Sequence, residues 1–182
     1  MDSQQIIVLY GPPCSGKTTI GLLLSKTLNL AFLSTDQLRE EFPALAAFTD
    51  ENNETVFITF LDRLRDYCKT GQSAVCEGFF YSQERKEQLL QIAGTVPVYF
   101  VLLTAEIGIL QQRLAYRNRS TTKYLKPARN GLLSQAKLED YYGRFKACHY
   151  TRVAIDTALF SPARTVELLK RIKCRSIRRL IK

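Results

Sequence analysis

Apolar residues along the chain follow two alternating rhythms. Compact apolar runs recur at 4–10 (QQIIVLY), 30–34 (LAFLS), 73–76 (SAVC), 96–103 (VPVYFVLL) and 152–155 (RVAI), and such runs predict strands buried on both faces. Between them the spacing turns helical. Ile20, Leu23, Leu24 and Leu28 share one face of a helix over 17–28. Val56, Phe57, Phe60, Leu61, Leu64 and Tyr67 do the same over 53–69, and Gly71 ends that helix. Further helices are predicted over 36–42, stopped near Pro43, and over 82–92 and 134–146. Thr104 reads as the cap of another helix, and Ser161 followed by Pro162 opens the last one.

No Asn-Gly hairpin signal separates any two strand patterns. Five strands alternating with helices predict an α/β fold, a five-stranded parallel sheet with helices on both faces. Residues 118–133 (NRSTTKYLKPARNGLL) are polar and basic and hold Pro127 and Gly131, so they read as part of a mobile lid over about 113–133. Residues 1–169 form one domain and 170–182 a basic tail.

Charge changes this picture only at the C-terminus. The net charge is +9, yet KRIKCRSIRRLIK at 170–182 holds seven basic residues and no acid, which leaves 19 basic against 17 acidic elsewhere. Such a tail suits an anionic partner, nucleic acid or membrane, or else a solvated helix end. No apolar run approaches the roughly 20 residues of a membrane span. MDSQQIIVLY has no basic region before its apolar run, so no secretory signal is expected and the expected location is cytoplasmic. Cys14, Cys68, Cys76, Cys148 and Cys174 are odd in number and lack CxxC spacing, which argues against a disulfide framework or a zinc site. His149 follows Cys148 directly, and neighbours in sequence rarely face each other as a reactive pair.

The densest chemistry is Gly11-Pro12-Pro13-Cys14-Ser15-Gly16-Lys17-Thr18, which fits GxxxxGK[ST] between a predicted strand and a predicted helix. A loop in that place aims backbone N–H groups and a helix dipole at an anion, and glycine lets the backbone turn and approach it. The stretch from Gly11 to Thr19 is therefore expected to bind ATP, with Lys17 on the β- and γ-phosphates and the Thr18 hydroxyl in the Mg²⁺ shell. Cys14 lies inside this electropositive loop, where a thiol pKa can be lowered.

Three further clusters bear on the reaction. Asp36 follows the second strand, where ligands meet the edge of a parallel sheet, and a carboxylate there can take a proton from an attacking hydroxyl. Arg39 lies one helical turn on and can hold an acceptor. Glu77 ends the third strand, where it can bind the acceptor or join the outer shell of Mg²⁺. Arg113 and Arg117 share a helix face before the lid, with Arg119 beyond them, and arginines there can close over a transferring phosphoryl group. Tyr124, Tyr141 and Tyr142 near the lid and Asp156 at the end of the last strand are weaker candidates.

Taken together, the glycine-rich loop, STDQLRE, SAVCEGFFYSQERKEQL and VPVYFVLLTAEIGILQQRLAYRNR resemble the P-loop kinases of the AAA_33 (zeta toxin/polynucleotide kinase-like) group, up to about Ser161. The Asp-x-x-Arg at 36 and 39 looks like that of polynucleotide 5′-hydroxyl kinases. The resemblance implies Asp36 as general base, Arg39 on the acceptor, and Arg113 and Arg117 as lid arginines. It implies transfer of the γ-phosphoryl of ATP, with Mg²⁺, to a hydroxyl. That hydroxyl belongs either to a polynucleotide 5′ end or to a small molecule such as a sugar, a nucleoside or an antibiotic. A regulatory protein that binds ATP and has no acceptor is the competing class, and the presence of Asp36 weighs against it.

Overall fold

The computed structural model describes residues 3–45, 47, 49–78, 80–119, 133–146 and 153–174. Five strands, β1 (Ile6–Tyr10), β2 (Ala31–Ser34), β3 (Ala74–Glu77), β4 (Val98–Thr104) and β5 (Val153–Asp156), form one parallel sheet in the order β2-β3-β1-β4-β5. β1 lies at the centre, with Val8 opposite both Cys76 and Phe100. Every one of its five residues is buried, as a continuous apolar run requires. Among the described residues, no helix is long and apolar enough to cross a membrane.

The alternation of side chains along β1 divides the interior in two. Ile6, Val8 and Tyr10 join one core with Leu33, Cys76, Phe60, Leu64 and Leu89. The last three come from α3 (Asp50–Lys69) and α4 (Gln83–Ala93). Ile7 and Leu9 join the opposite core with Ile20 and Leu24 of α1 (Lys17–Leu28) and Val166 and Leu169 of α7 (Pro162–Cys174). A smaller cluster, including Leu110, Leu114 and Leu138, binds α5 (Ile107–Arg119) to α6 (Gln135–Lys146). Helices therefore cover both faces of the sheet, as the sequence pattern predicts.

Most strand ends shift by one or two residues from the sequence reading, and two boundaries differ for a visible reason. Thr104 does not cap a helix. It closes β4, and its carbonyl accepts from the backbone N–H of Thr157 at 2.8 Å and from the Thr157 hydroxyl at 3.0 Å. The helix that follows starts only at Ile107. α3 begins three residues before Asn53, because the Thr49 hydroxyl accepts from the Asn52 N–H at 3.2 Å and supplies the cap. The short helix α2 (Thr35–Glu41) is capped in the same manner by Ser34, whose Oγ accepts from the N–H groups of Asp36 and Gln37. Lid residues 120–132, with Tyr124, together with Cys148, His149 and the 175–182 part of the tail, lie outside the described residues.

Candidate functional site

At the carboxyl end of β1 the chain must turn sharply into α1. Gly11 makes the turn at φ +148°, and a Cβ there would stand 2.0 Å from the Leu103 carbonyl oxygen in β4. Gly16, at φ +89°, leads into α1. The first turn of α1 carries no acidic residue and no side-chain cap, so its N–H groups and dipole are left to face an anion. Ser15 is fully buried, and its Oγ has no hydrogen-bond partner among the described residues. Spare donors around a glycine-lined turn fit a triphosphate.

Lys17 folds over this loop, its ammonium donating to the carbonyls of Gly11 at 3.1 Å and Pro12 at 3.0 Å. Burial pushes its pKa down, while the carboxylates of Glu77 and Asp36 oppose the shift. The Thr18 hydroxyl donates to Glu77, 3.0 and 3.1 Å from the two carboxylate oxygens, and Ser34 Oγ donates to Glu77 Oε1 at 2.7 Å. Thr18 and Glu77 thus form an oxygen pair beside the phosphate loop, the donor type that Mg²⁺ takes. Burial raises the Glu77 pKa against the pull of Lys17 and its hydroxyl donors. Thr19 is exposed on the outer side of α1.

Cys14 sits in the loop at φ +64°, a left-handed conformation uncommon for a residue with a side chain. The expectation of a lowered thiol pKa fails here. Burial pushes the Cys14 thiol up and outweighs the nearby charges of Arg117, Lys17 and Arg113. Arg113 ties the loop to the far side of the sheet, donating to the Cys14 carbonyl at 3.3 Å and to the Thr157 hydroxyl and carbonyl at 2.8 Å each. Arg117, one turn later on α5, reaches the Cys14 thiol. Two of the three arginines named from sequence therefore meet the phosphate loop, while Arg119 is exposed at the end of α5.

On the other side of the cradle lies a recess of about 190 Å³, whose walls include Thr35, Arg39, Asn53, Phe57, Arg85 and Tyr141. Arg39 is nearly buried. Its guanidinium donates to the carbonyls of Leu45 at 2.6 Å and Ala47 at 3.3 Å and to Asn53 Oδ1 at 2.5 Å. Asp36 is exposed between the two halves of the site, and its carboxylate raises the pKa of Lys17 on one side and of Arg39 on the other against the effect of burial. Glu77 is not part of the recess wall; its bonds run to Thr18 and Ser34. Asp156 accepts the Ala158 N–H at 2.8 Å and holds the turn after β5.

A family model described as an AAA domain, AAA_33, matches residues 6–156, from the start of β1 to the end of β5. The chain belongs to the AAA_33 family. Over 123 residues, 62% of this chain, it is 29% identical to adenylate kinase 8 of Rattus norvegicus. The chain spans about a quarter of the length of that curated relative. Its fold is that of P-loop kinases. A putative kinase from Chloroflexus aurantiacus superposes with a TM-score of 0.70 at 22% identity, covering 94% of this chain and 97% of that one. Shikimate kinase from Acinetobacter baumannii, in complex with shikimate, gives 0.65 at 18% identity, covering 97% of each chain.

Within this AAA_33 domain, sequence reasoning missed the roles of Asn53, Arg85 and Thr157. Asn53 opens the apolar face of α3 and looked like a helix-start residue. Arg85 stands in the charged stretch SQERKEQ, where nothing distinguishes it from a solvated side chain. Thr157 carried one usable signal, its position directly after a strand that ends at the ligand edge.

Proposed function

We propose that this AAA_33 protein is a kinase that transfers the γ-phosphoryl group of ATP to a hydroxyl of a small molecule held in the recess. One observation carries the reading. Exposed Asp36 follows Ser34, which shares Glu77 with Thr18 of the phosphate loop, and lies between the recess residues Thr35 and Arg39, so it stands where a donor phosphate and an acceptor hydroxyl would meet. The size of the recess, about 190 Å³, supports a small acceptor over a polynucleotide 5′ end.

Lys17 and the loop N–H groups bind the phosphates, and Thr18 and Glu77 are the residues that would hold Mg²⁺. That ion neutralises phosphate charge when it is bound. Asp36 takes the proton as the acceptor oxygen forms its bond to the γ-phosphorus. The bond to the β–γ bridging oxygen breaks, and ADP leaves with that electron pair. Arg117, beside the loop, stabilises charge on the group in transit, and Arg113 holds the loop in register with the turn after β5.

The test offers the protein γ-labelled ATP and Mg²⁺ with a panel of small hydroxyl compounds and a 5′-hydroxyl oligonucleotide. Label on a small compound, lost in Asp36→Asn, is the expected result. Label on the oligonucleotide in preference would make the protein a polynucleotide kinase. ATP binding with no transfer to anything would leave a regulatory nucleotide-binding protein in its place.

A further inference from the structure

Two guanidinium groups face one small recess. Arg39 is nearly buried and is held by two backbone carbonyls and Asn53 Oδ1, so its orientation is set before any ligand arrives. The guanidinium carbon of Arg85 on α4 stands over the Phe57 ring, 4.6 Å from its centroid. The two cations act on each other, since Arg85 adds to burial in lowering the Arg39 pKa, against Asp36 and Tyr141.

The carboxylates nearby are placed differently. Asp50 and Glu54 are both exposed. Glu54 Oε2 stands 3.3 Å from Arg85, with its side chain 55% exposed against 21% for the arginine. An ion pair at a solvent edge contributes little and is readily exchanged. Asp50 and Glu54 also line the recess, at its exposed edge, whereas Arg39 is buried in its wall. Phe57 and Phe80 give the recess an apolar wall, and Thr35 and Asn53 give it polar atoms. Thr35 and Arg39 flank Asp36 on α2, so a ligand on these walls lies beside the proposed base.

We infer that the acceptor carries an oxyanion, a carboxylate or a phosphate monoester, which docks between Arg39 and Arg85 with its carbon body against Phe57. The planar fork of arginine matches both groups through paired hydrogen bonds. Glu54 yields Arg85 to the incoming group and turns to water. The inference rests on the kinase reading for the word acceptor, but the binding itself does not depend on phosphoryl transfer.

Binding is accordingly measured first, on the full chain with the phosphate loop saturated by Mg²⁺ and a non-hydrolysable ATP analogue, so that the cradle cannot take the probe. Inorganic phosphate and malonate are the probes, and titration calorimetry reads them on wild type and on Arg85→Gln. The expected result is saturable binding of one or both, weakened about tenfold or more in the variant. Which probe binds better separates phosphate from carboxylate. No binding of either, or equal binding in the variant, overturns the inference.

Transfer is measured next, with matched pairs such as glycerol 3-phosphate and glycerol, or glycerate and its amide. The charged member is expected to be phosphorylated with the higher kcat/KM, and Arg85→Gln to reduce that preference about tenfold or more. Phosphorylation of neutral members as readily as charged ones refutes the oxyanion and leaves the kinase standing. Oxyanion binding without transfer to any member refutes the kinase reading and leaves the site.

Discussion

Replacing Gly11 with alanine tests the geometry of the phosphate loop more directly than any change to a charged residue. Two separate demands meet at this position. The backbone stands at φ +148°, and holding an L-residue in such a region costs roughly 1–2 kcal/mol. The added Cβ would also lie 2.0 Å from the Leu103 carbonyl oxygen. That oxygen has little room to retreat, because Leu103 is fully buried in β4 and pairs with Ile155 of β5. Forced overpacking of this kind costs about 1–3 kcal/mol.

The combined loss is roughly 2–5 kcal/mol, and in a chain of this size each kcal/mol moves Tm by about 2–4 °C. The melting temperature should fall by about 4–20 °C. Gly71→Ala is the control, since φ is +71° there and nothing stands within 4 Å of the new Cβ. It carries the backbone term alone, about 1–2 kcal/mol. Thermal unfolding followed by circular dichroism, both variants without nucleotide, makes the comparison. If Gly11→Ala loses no more than Gly71→Ala, the contact with Leu103 is not a constraint and the account of the turn is wrong.

Other outcomes follow from the same site. Asp36→Asn should cut phosphoryl transfer by about 10²–10⁴-fold with ATP affinity retained, as read by labelled transfer beside calorimetry; loss of both would assign Asp36 to nucleotide binding. Lys17→Met should abolish the thermal shift that ATP gives the wild type, which is about 2.7 kcal/mol at a hundred times Kd. A full shift in the variant would remove Lys17 from the phosphate site. Burial raises the Glu77 pKa in the native state, so the folded protein holds this proton more tightly than the unfolded chain, whose value is about 4.3. Stability should then fall as pH rises from there through the native value, and level off above it. Glu77→Gln should lack that fall, so that its Tm gains on wild type across the window; a gap that stays constant with pH would show that Glu77 is not buried as a titrating acid. Because burial also raises the Cys14 pKa, alkylation at neutral pH, followed by mass spectrometry, should be slower than for a free cysteine. A faster reaction would mean that Arg117 and Lys17 outweigh burial.

How much of this the sequence made legible depends on how far apart the participants lie. The phosphate loop is local, its strand, glycines and helix start all falling within Ile6–Leu28, and the fixed spacing is enough to recognise it. The parallel sheet was legible for a related reason, since β1 reads as continuously apolar only when both its faces are covered. The recess was not, because Thr35, Asn53, Arg85 and Tyr141 come from four different helices and meet only after the sheet has assembled. Thr104 shows the opposite failure. Its local signal was a sound cap, but a partner 53 residues later, Thr157, claimed the carbonyl and carried the strand on. Cys14 was misjudged because the charges around it can be read from sequence, whereas burial cannot.

The division of the interior by β1 has a consequence for the length of this chain. Odd positions of that strand feed one core and even positions the other, and the strand runs straight into the phosphate loop. Deleting one residue would exchange the two sets and turn each core inside out. Deleting two would restore the sides but pull the cradle inward by about 7 Å. Neither frame is usable, so β1 sets a ruler that other parts of the chain must respect. Growth and shrinkage belong at turns such as Gly71 and Gly94, where the structure leaves open space around the backbone. Those are the points at which a reporter or an additional module could be spliced in without disturbing the alignment of the site.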